Sequence, residues 1–89
     1  MVVRYVVRGA VQGVGFRWFV LREAHRLQLR GWVSNSPDGS VEVVADGPAP
    51  VLVELQRALT RGPSAARVSG VENADVPHDV VIPNFFQIQ

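Results

Sequence analysis

Three glycines within seven residues, Gly9, Gly13 and Gly15, lead into Arg17 in the segment GAVQGVGFR. Glycine admits positive φ and lets backbone approach a ligand closely. Successive N–H groups of Gln12, Gly13, Val14, Gly15, Phe16 and Arg17 can therefore converge on one anion the size of a phosphate. A cation in the first turn of a helix faces the positive end of the helix dipole, at a cost of about 0.3 to 1 kcal/mol at an exposed site, and a bound anion reverses that penalty. The same residues admit a second reading, in which the glycines serve a tight strand-to-helix turn and Arg17 is a surface side chain. Loop chemistry alone leaves both open. Two other glycine motifs do not fit: a dinucleotide fingerprint starting at Gly13 needs a third glycine where Trp18 stands, and a Walker loop needs a lysine.

The composition bounds what else the chain can do. A chain of 89 residues buries only about 60 to 65% of its unfolded surface, so one domain over residues 1–89 with one site is expected. It is 47% apolar and 19% charged, close to globular averages, which disfavours disorder and coiled coil. A net charge of +1 supplies no strong field for nucleic acid or membrane surfaces, so any anion must be caught locally. Cysteine is absent, which removes disulfides, thiolate metal sites and a cysteine nucleophile. All nine basic residues are arginine, which excludes Schiff-base chemistry. Arg4 and Arg8 interrupt the N-terminal apolar stretch, and no segment approaches the roughly 18 apolar residues of a membrane span, so a cytoplasmic location is expected.

The elements that would position the loop follow from periodicity. Val2 to Ala10 alternates around Arg4 and Arg8 and reads as a strand. Phe16, Val20, Ala24 and Leu27 recur at helical spacing and predict a helix from about Phe16 to Leu29. Gly31 to Ser34 is a short strand, SPDG a turn with Pro37 and Asp38 at its centre and Gly39 after it, and Ser40 to Ala45 a third strand. Asp46, Gly47 and Pro48 signal the start of a second helix, lined by Val51, Leu52, Leu55, Ala58 and Leu59 and stopped by Gly62 and Pro63. Ala66 to Val76 reads as a fourth strand with a bulge near Ser69 and Gly70, and Phe86 and Ile88 alternate in a short final strand. The order β-α-β-β-α-β plus a terminal strand predicts an α+β split βαβ sandwich, an antiparallel-dominated sheet with two helices on one face.

Gly9 to Arg17 (G-A-V-Q-G-V-G-F-R), Ala24 and Leu29 to Glu42 (L-R-G-W-V-S-N-S-P-D-G-S-V-E) together resemble the acylphosphatase family closely. The likeness extends through the second helix, the G-P near its end, A-R-V in the fourth strand and F-x-I at the last strand. The resemblance implies a ferredoxin-like α/β sandwich that hydrolyses the carboxyl-phosphate bond of acyl phosphates without metal or cofactor. It makes Arg17 the phosphate-binding catalytic arginine and Asn35 the residue that orients the attacking water. Inorganic phosphate is then both product and inhibitor, no nucleic acid or membrane partner is implied, and a monomer is expected. A chain of this length starting at Met1 is expected to be a stand-alone enzyme rather than a module of a larger carbamoyl-transfer protein. Gln28 departs from the family, which usually ends the first helix with glycine, and the tail lacks the family's frequent final basic or aromatic residue.

The residue chemistry agrees with that implication. The two blocks hold no His, Cys or Lys, and Glu23 lies far along the helix. An acyl phosphate expels a carboxylate of pKa about 4, stable at neutral pH without an acid, whereas a phosphomonoester expels an alkoxide. A site this poor in acids suits the easier leaving group. In the proposed topology the first and second strands run the same way with the third between them, so the loop and Asn35 share one edge, roughly 10 Å apart.

Other residues have plainer readings. His25 and His78 lack partners at ligand spacing. Arg22, Arg26 and Arg30 form a solvated i, i+4 row. Trp18, Phe19 and Trp32 are more simply core than an apolar rim for an acyl group. Asp38 and Glu42 are turn and strand-surface residues, and Ser34 and Ser36 have no base to activate them. A noncatalytic anion-binding or regulatory domain on the same fold is the nearest rival. An RNA-binding module is disfavoured because the third strand, SVEVVA, offers no aromatics and the first only Tyr5.

Overall fold

The computed structural model describes residues 1–89. Its elements are β1 (Val2–Ala10), α1 (Phe16–Arg26), β2 (Arg30–Asn35), β3 (Val41–Asp46), α2 (Ala49–Arg61), β4 (Arg67–Ala74) and β5 (Gln87–Ile88). They form one five-stranded sheet in the order β4-β1-β3-β2-β5. Three ladders are antiparallel and only β2–β5 is parallel. This is the ferredoxin-like α+β sandwich expected from the element order. No helix is long and apolar enough to cross a membrane.

The core lies between the sheet and the two helices. Period-2 alternation sends Tyr5 and Val7 of β1, Val41, Val43 and Ala45 of β3 and Val33 of β2 to the helix side. There they meet Phe16, Val20 and Ala24 of α1 and Leu52, Leu55 and Leu59 of α2. The opposite face carries the charges. Arg4 Nε donates to Glu42 at 2.7 Å, and Arg8 Nε donates to Glu72 at 2.7 Å while its Nη1 reaches Asp38 at 3.3 Å. Trp32 lies on this face too, its indole N–H donating to Glu42 at 3.3 Å, so it is not a residue of the helix-side core.

Helix α1 is shorter than its apolar spacing predicts, ending at Arg26 instead of near Leu29. The reason is a left-handed turn at Gln28, with φ of 58°. The Gln28 N–H donates to the His25 carbonyl at 3.1 Å and the Leu29 N–H to the Ala24 carbonyl at 2.9 Å. This is the paired bonding of a Schellman cap, closed by the buried contact partners Ala24 and Leu29. Leu27 and Leu29 therefore continue the apolar spacing without continuing the helix. The same ending removes the predicted arginine row, since Arg30 sits in β2 and donates to Asp46 while Arg26 pairs with Glu23.

A non-glycine residue in the left-handed region costs roughly 1 to 2 kcal/mol, and glycine would relieve that strain while giving up about 0.5 to 1 kcal/mol to the greater freedom of its unfolded chain. Gln28→Gly is thus expected to stabilise the fold by about 0.5 to 1 kcal/mol, a rise of about 2 to 8 °C in thermal midpoint by calorimetry.

Strand β4 begins and ends one to two residues inside its predicted limits, and the bulge falls where expected. Arg8 pairs with Gly70 but Gly9 with Val68, leaving Ser69 as the extra residue. The β2–β3 turn also matches its sequence, with the Gly39 N–H donating to the Ser36 carbonyl at 3.1 Å around Pro37 and Asp38.

Two carboxylates tie the turns and strand ends to the sheet. Asp46 is held below the usual carboxylate range chiefly by the hydrogen bond from Arg30, and Asp38 chiefly by that from the Ser40 hydroxyl at 2.6 Å. Because both folded-state values lie below the unfolded value of about 3.9, the unfolded chain takes up more protons in acid. Their stabilisation is complete above that unfolded value and disappears as pH falls through the folded ones. Thermal melts are expected to drop as pH goes below about 4, and to drop less steeply in Asp46→Asn.

Candidate active site

The glycine loop is suspended between two buried anchors. Val11 and Phe16 are each 1% exposed, so residues 12–15 must bridge outward between two fixed points. Gly13 and Gly15 do so with φ of 76° and 77°. A Cβ at either would meet no atom within 4 Å, so the requirement for glycine is conformational rather than steric.

Gly15 is also the N-cap of α1, and it supplies no side-chain oxygen. The first helical hydrogen bond runs from the Phe19 N–H to the Gly15 carbonyl at 3.0 Å. The N–H groups of Phe16, Arg17 and Trp18 precede it and have no carbonyl within the helix to reach. The first turn contains no acidic residue. A helix N-terminus left without a cap or a carboxylate keeps its positive dipole end available to an external anion.

Beside this helix end lies a hollow of about 150 Å³, lined by Val11, Gly13, Gly15, Phe16, Arg17, Trp18 and Asn35. Sequence pattern and topology together explain why Asn35 is there. It closes β2 two residues after buried Val33, so alternation directs it to the helix side of the sheet. Across the sheet, Val7, Val41 and Asn35 occupy one row, because Val41 pairs with both of the others. The end of β2 is thus two interstrand spacings, roughly 10 Å, from β1 just before it enters the glycine loop.

Four of the six residues predicted to cradle an anion, Gly13, Gly15, Phe16 and Arg17, line the hollow. Gln12 and Val14 flank it. The side chain of Gln12 is committed elsewhere, its Nε2 donating to the Ser36 carbonyl at 2.7 Å and the Ser40 carbonyl at 2.9 Å. These bonds fasten the glycine loop to the turn that follows Asn35. Val14 packs partly against the core.

Arg17 is fixed from the other side: its Nη1 donates to the Gln89 backbone oxygen at 3.2 Å, and the Gln89 N–H donates to the Val33 carbonyl at 2.8 Å. The sequence points to Gln12 for its backbone N–H but not for this side-chain clamp, and does not point to Gln89 at all. Their partners are 24 and 72 residues away, so only knowledge of the sheet order could have pointed to them.

The hollow holds one guanidinium, one carboxamide and no carboxylate, imidazole or hydroxyl side chain. His25 is occupied away from it, its Nε2 lying 3.3 Å from the Phe86 carbonyl. Glu23, distant from the hollow, accepts from Arg26 and Arg61. No three His, Asp or Glu side chains cluster as a metal-ligand set. Trp18 differs from expectation: it is 65% exposed and belongs to the rim of the hollow, not to the core. Phe19 does pack against the core, 5.9 Å from the ring of Phe16.

Fold and hollow define a ferredoxin-like sandwich with a glycine-built helix entrance and an asparagine-tipped strand meeting at one end of its sheet. The chain belongs to the acylphosphatase family, whose family model matches residues 3–88. It is 50% identical over 82 residues to an acylphosphatase of Koribacter versatilis, covering 92% of this chain and 74% of that protein. The crystal structure of acylphosphatase from Bacillus subtilis superposes with a TM-score of 0.84 at 37% identity, covering 100% of this chain and 99% of the other. An acylphosphatase structure from Coxiella burnetii gives a TM-score of 0.87 at 36% identity, over 99% of this chain and 90% of that one.

Proposed function

We propose that the hollow hydrolyses small acyl phosphates to a carboxylate and inorganic phosphate. Backbone N–H groups between Gln12 and Arg17, with the Arg17 guanidinium, hold the phosphoryl oxygens. The Asn35 carboxamide holds a water for in-line attack on phosphorus. The water oxygen forms the new P–O bond, the bond to the acyl oxygen breaks, and the carboxylate leaves unprotonated while the bound phosphate takes up the water's proton. Phosphoryl transfer passes through a loose transition state in which positioning and charge stabilisation supply most of the catalysis. One fixed cation, a set of oriented amides and one carboxamide can supply both.

The lining of the hollow carries this reading. It gathers Arg17, Asn35 and an uncapped helix N-terminus and offers no group to protonate a poor leaving group. Carboxylates of pKa about 4 need no such group, which separates acyl phosphates from phosphomonoesters.

Purified protein in excess chelator is expected to hydrolyse acetyl phosphate, with competitive inhibition by inorganic phosphate and no turnover of an alkyl phosphomonoester. Phosphate binding without acetyl phosphate turnover would instead identify a noncatalytic anion-binding domain.

A further inference from the structure

Along α1 the residues Phe16, Val20 and Ala24 are buried, and Trp18 projects away from them with 65% of its surface exposed. Exposing so large an apolar side chain contributes nothing to folding, and Trp18 is not part of the core cluster or of an aromatic pair. It borders the same hollow as Arg17 and Asn35. The other large apolar residues there, Val11 and Phe16, are 1% exposed and form its floor. Trp18 is therefore the one apolar lining side chain able to meet a group that extends out of the hollow.

We infer that Trp18 is a specificity residue that receives the acyl group and biases the site toward acyl phosphates with flat, aromatic acyl groups. This rests on the function proposed above. With the phosphoryl group against Arg17, the acyl carbon is one oxygen away and its substituent must leave through the rim. Arg17 and Trp18 both border the hollow from the first turn of α1, so the residue proposed to hold the phosphoryl end and the indole share one rim. An aryl ring can stack on an indole, whereas an acetyl methyl offers it little surface.

The test compares kcat/KM for benzoyl phosphate and acetyl phosphate. In Trp18→Ala the benzoyl-to-acetyl ratio is expected to fall about five-fold, the size of one aromatic pair, and Trp18→Phe is expected to restore most of it. Phe85→Ala, which removes an aromatic that is 78% exposed but lines a different hollow, is expected to leave the ratio unchanged. An equal loss on both substrates in Trp18→Ala, or an equal shift in Phe85→Ala, overturns the assignment. Absence of acetyl phosphate hydrolysis by the parent protein would remove the function itself, a result separate from an unchanged ratio in an active enzyme.

Discussion

Arg17→Ala is expected to lower kcat/KM for acetyl phosphate by at least about 10² to 10³, the effect of removing one preorganised donor to a developing oxyanion, without unfolding the protein. The two halves of this expectation have different origins. Arg17 is absent from the core, and the one hydrogen bond its side chain makes within the chain is an exposed one to the Gln89 backbone oxygen at 3.2 Å. Losing that bond costs little, and losing a cation at a helix N-terminus returns about 0.3 to 1 kcal/mol. The thermal midpoint should therefore stay within a few degrees of the parent while activity collapses. Arg17→Lys should recover only part of the activity, because an ammonium is a point charge that cannot span two phosphoryl oxygens as a guanidinium fork does. Full activity in a folded Arg17→Ala protein would remove the arginine from the mechanism.

A loss of similar size, distributed differently between kcat and KM, is expected for Asn35→Ala. If the carboxamide aims the water and does not hold the phosphoryl group, its interaction belongs to the transition state. The variant should then lose about 10²-fold or more in kcat with little change in KM or in inhibition by inorganic phosphate. Asn35→Asp should fall further and also bind phosphate more weakly, since it places a negative charge beside a hollow whose only cation is Arg17. Asn35 is exposed at the end of β2, with buried Val33 holding the strand, so neither variant should unfold. A rise in KM with unchanged kcat would make Asn35 a phosphate ligand instead of a water-positioning group.

Much of this protein can be read from local signals. Alternation around Arg4 and Arg8, helical spacing from Phe16 to Ala24, the SPDG turn and the bulge at Ser69 all depend on neighbours a few residues apart, and each appears in the structure where its pattern puts it. The end of α1 was less legible, because Gln28 takes a left-handed cap through bonds to His25 and Leu29 takes one to Ala24, while Leu27 and Leu29 still satisfy the helical spacing. Trp18 departs from the core position expected of it for a related reason. An aromatic in an amphipathic helix favours the core by its area, and only the direction of its side chain, set once Phe16 and Val20 are buried, sends it to the rim.

By itself the sequence determined the chemical inventory: one arginine after a glycine loop, one asparagine after a short strand, no thiol or lysine, and the order of elements that brings two parallel strands to a common edge. Tertiary structure alone decided which groups share a hollow, that Gln12 clamps the loop to the hairpin, and that Gln89 steadies the guanidinium. The division follows from distance along the chain. Backbone preference and periodicity act over a few residues, whereas contacts spanning 24 or 72 residues exist only after strand order and register have been set by burial of the helix-side valines.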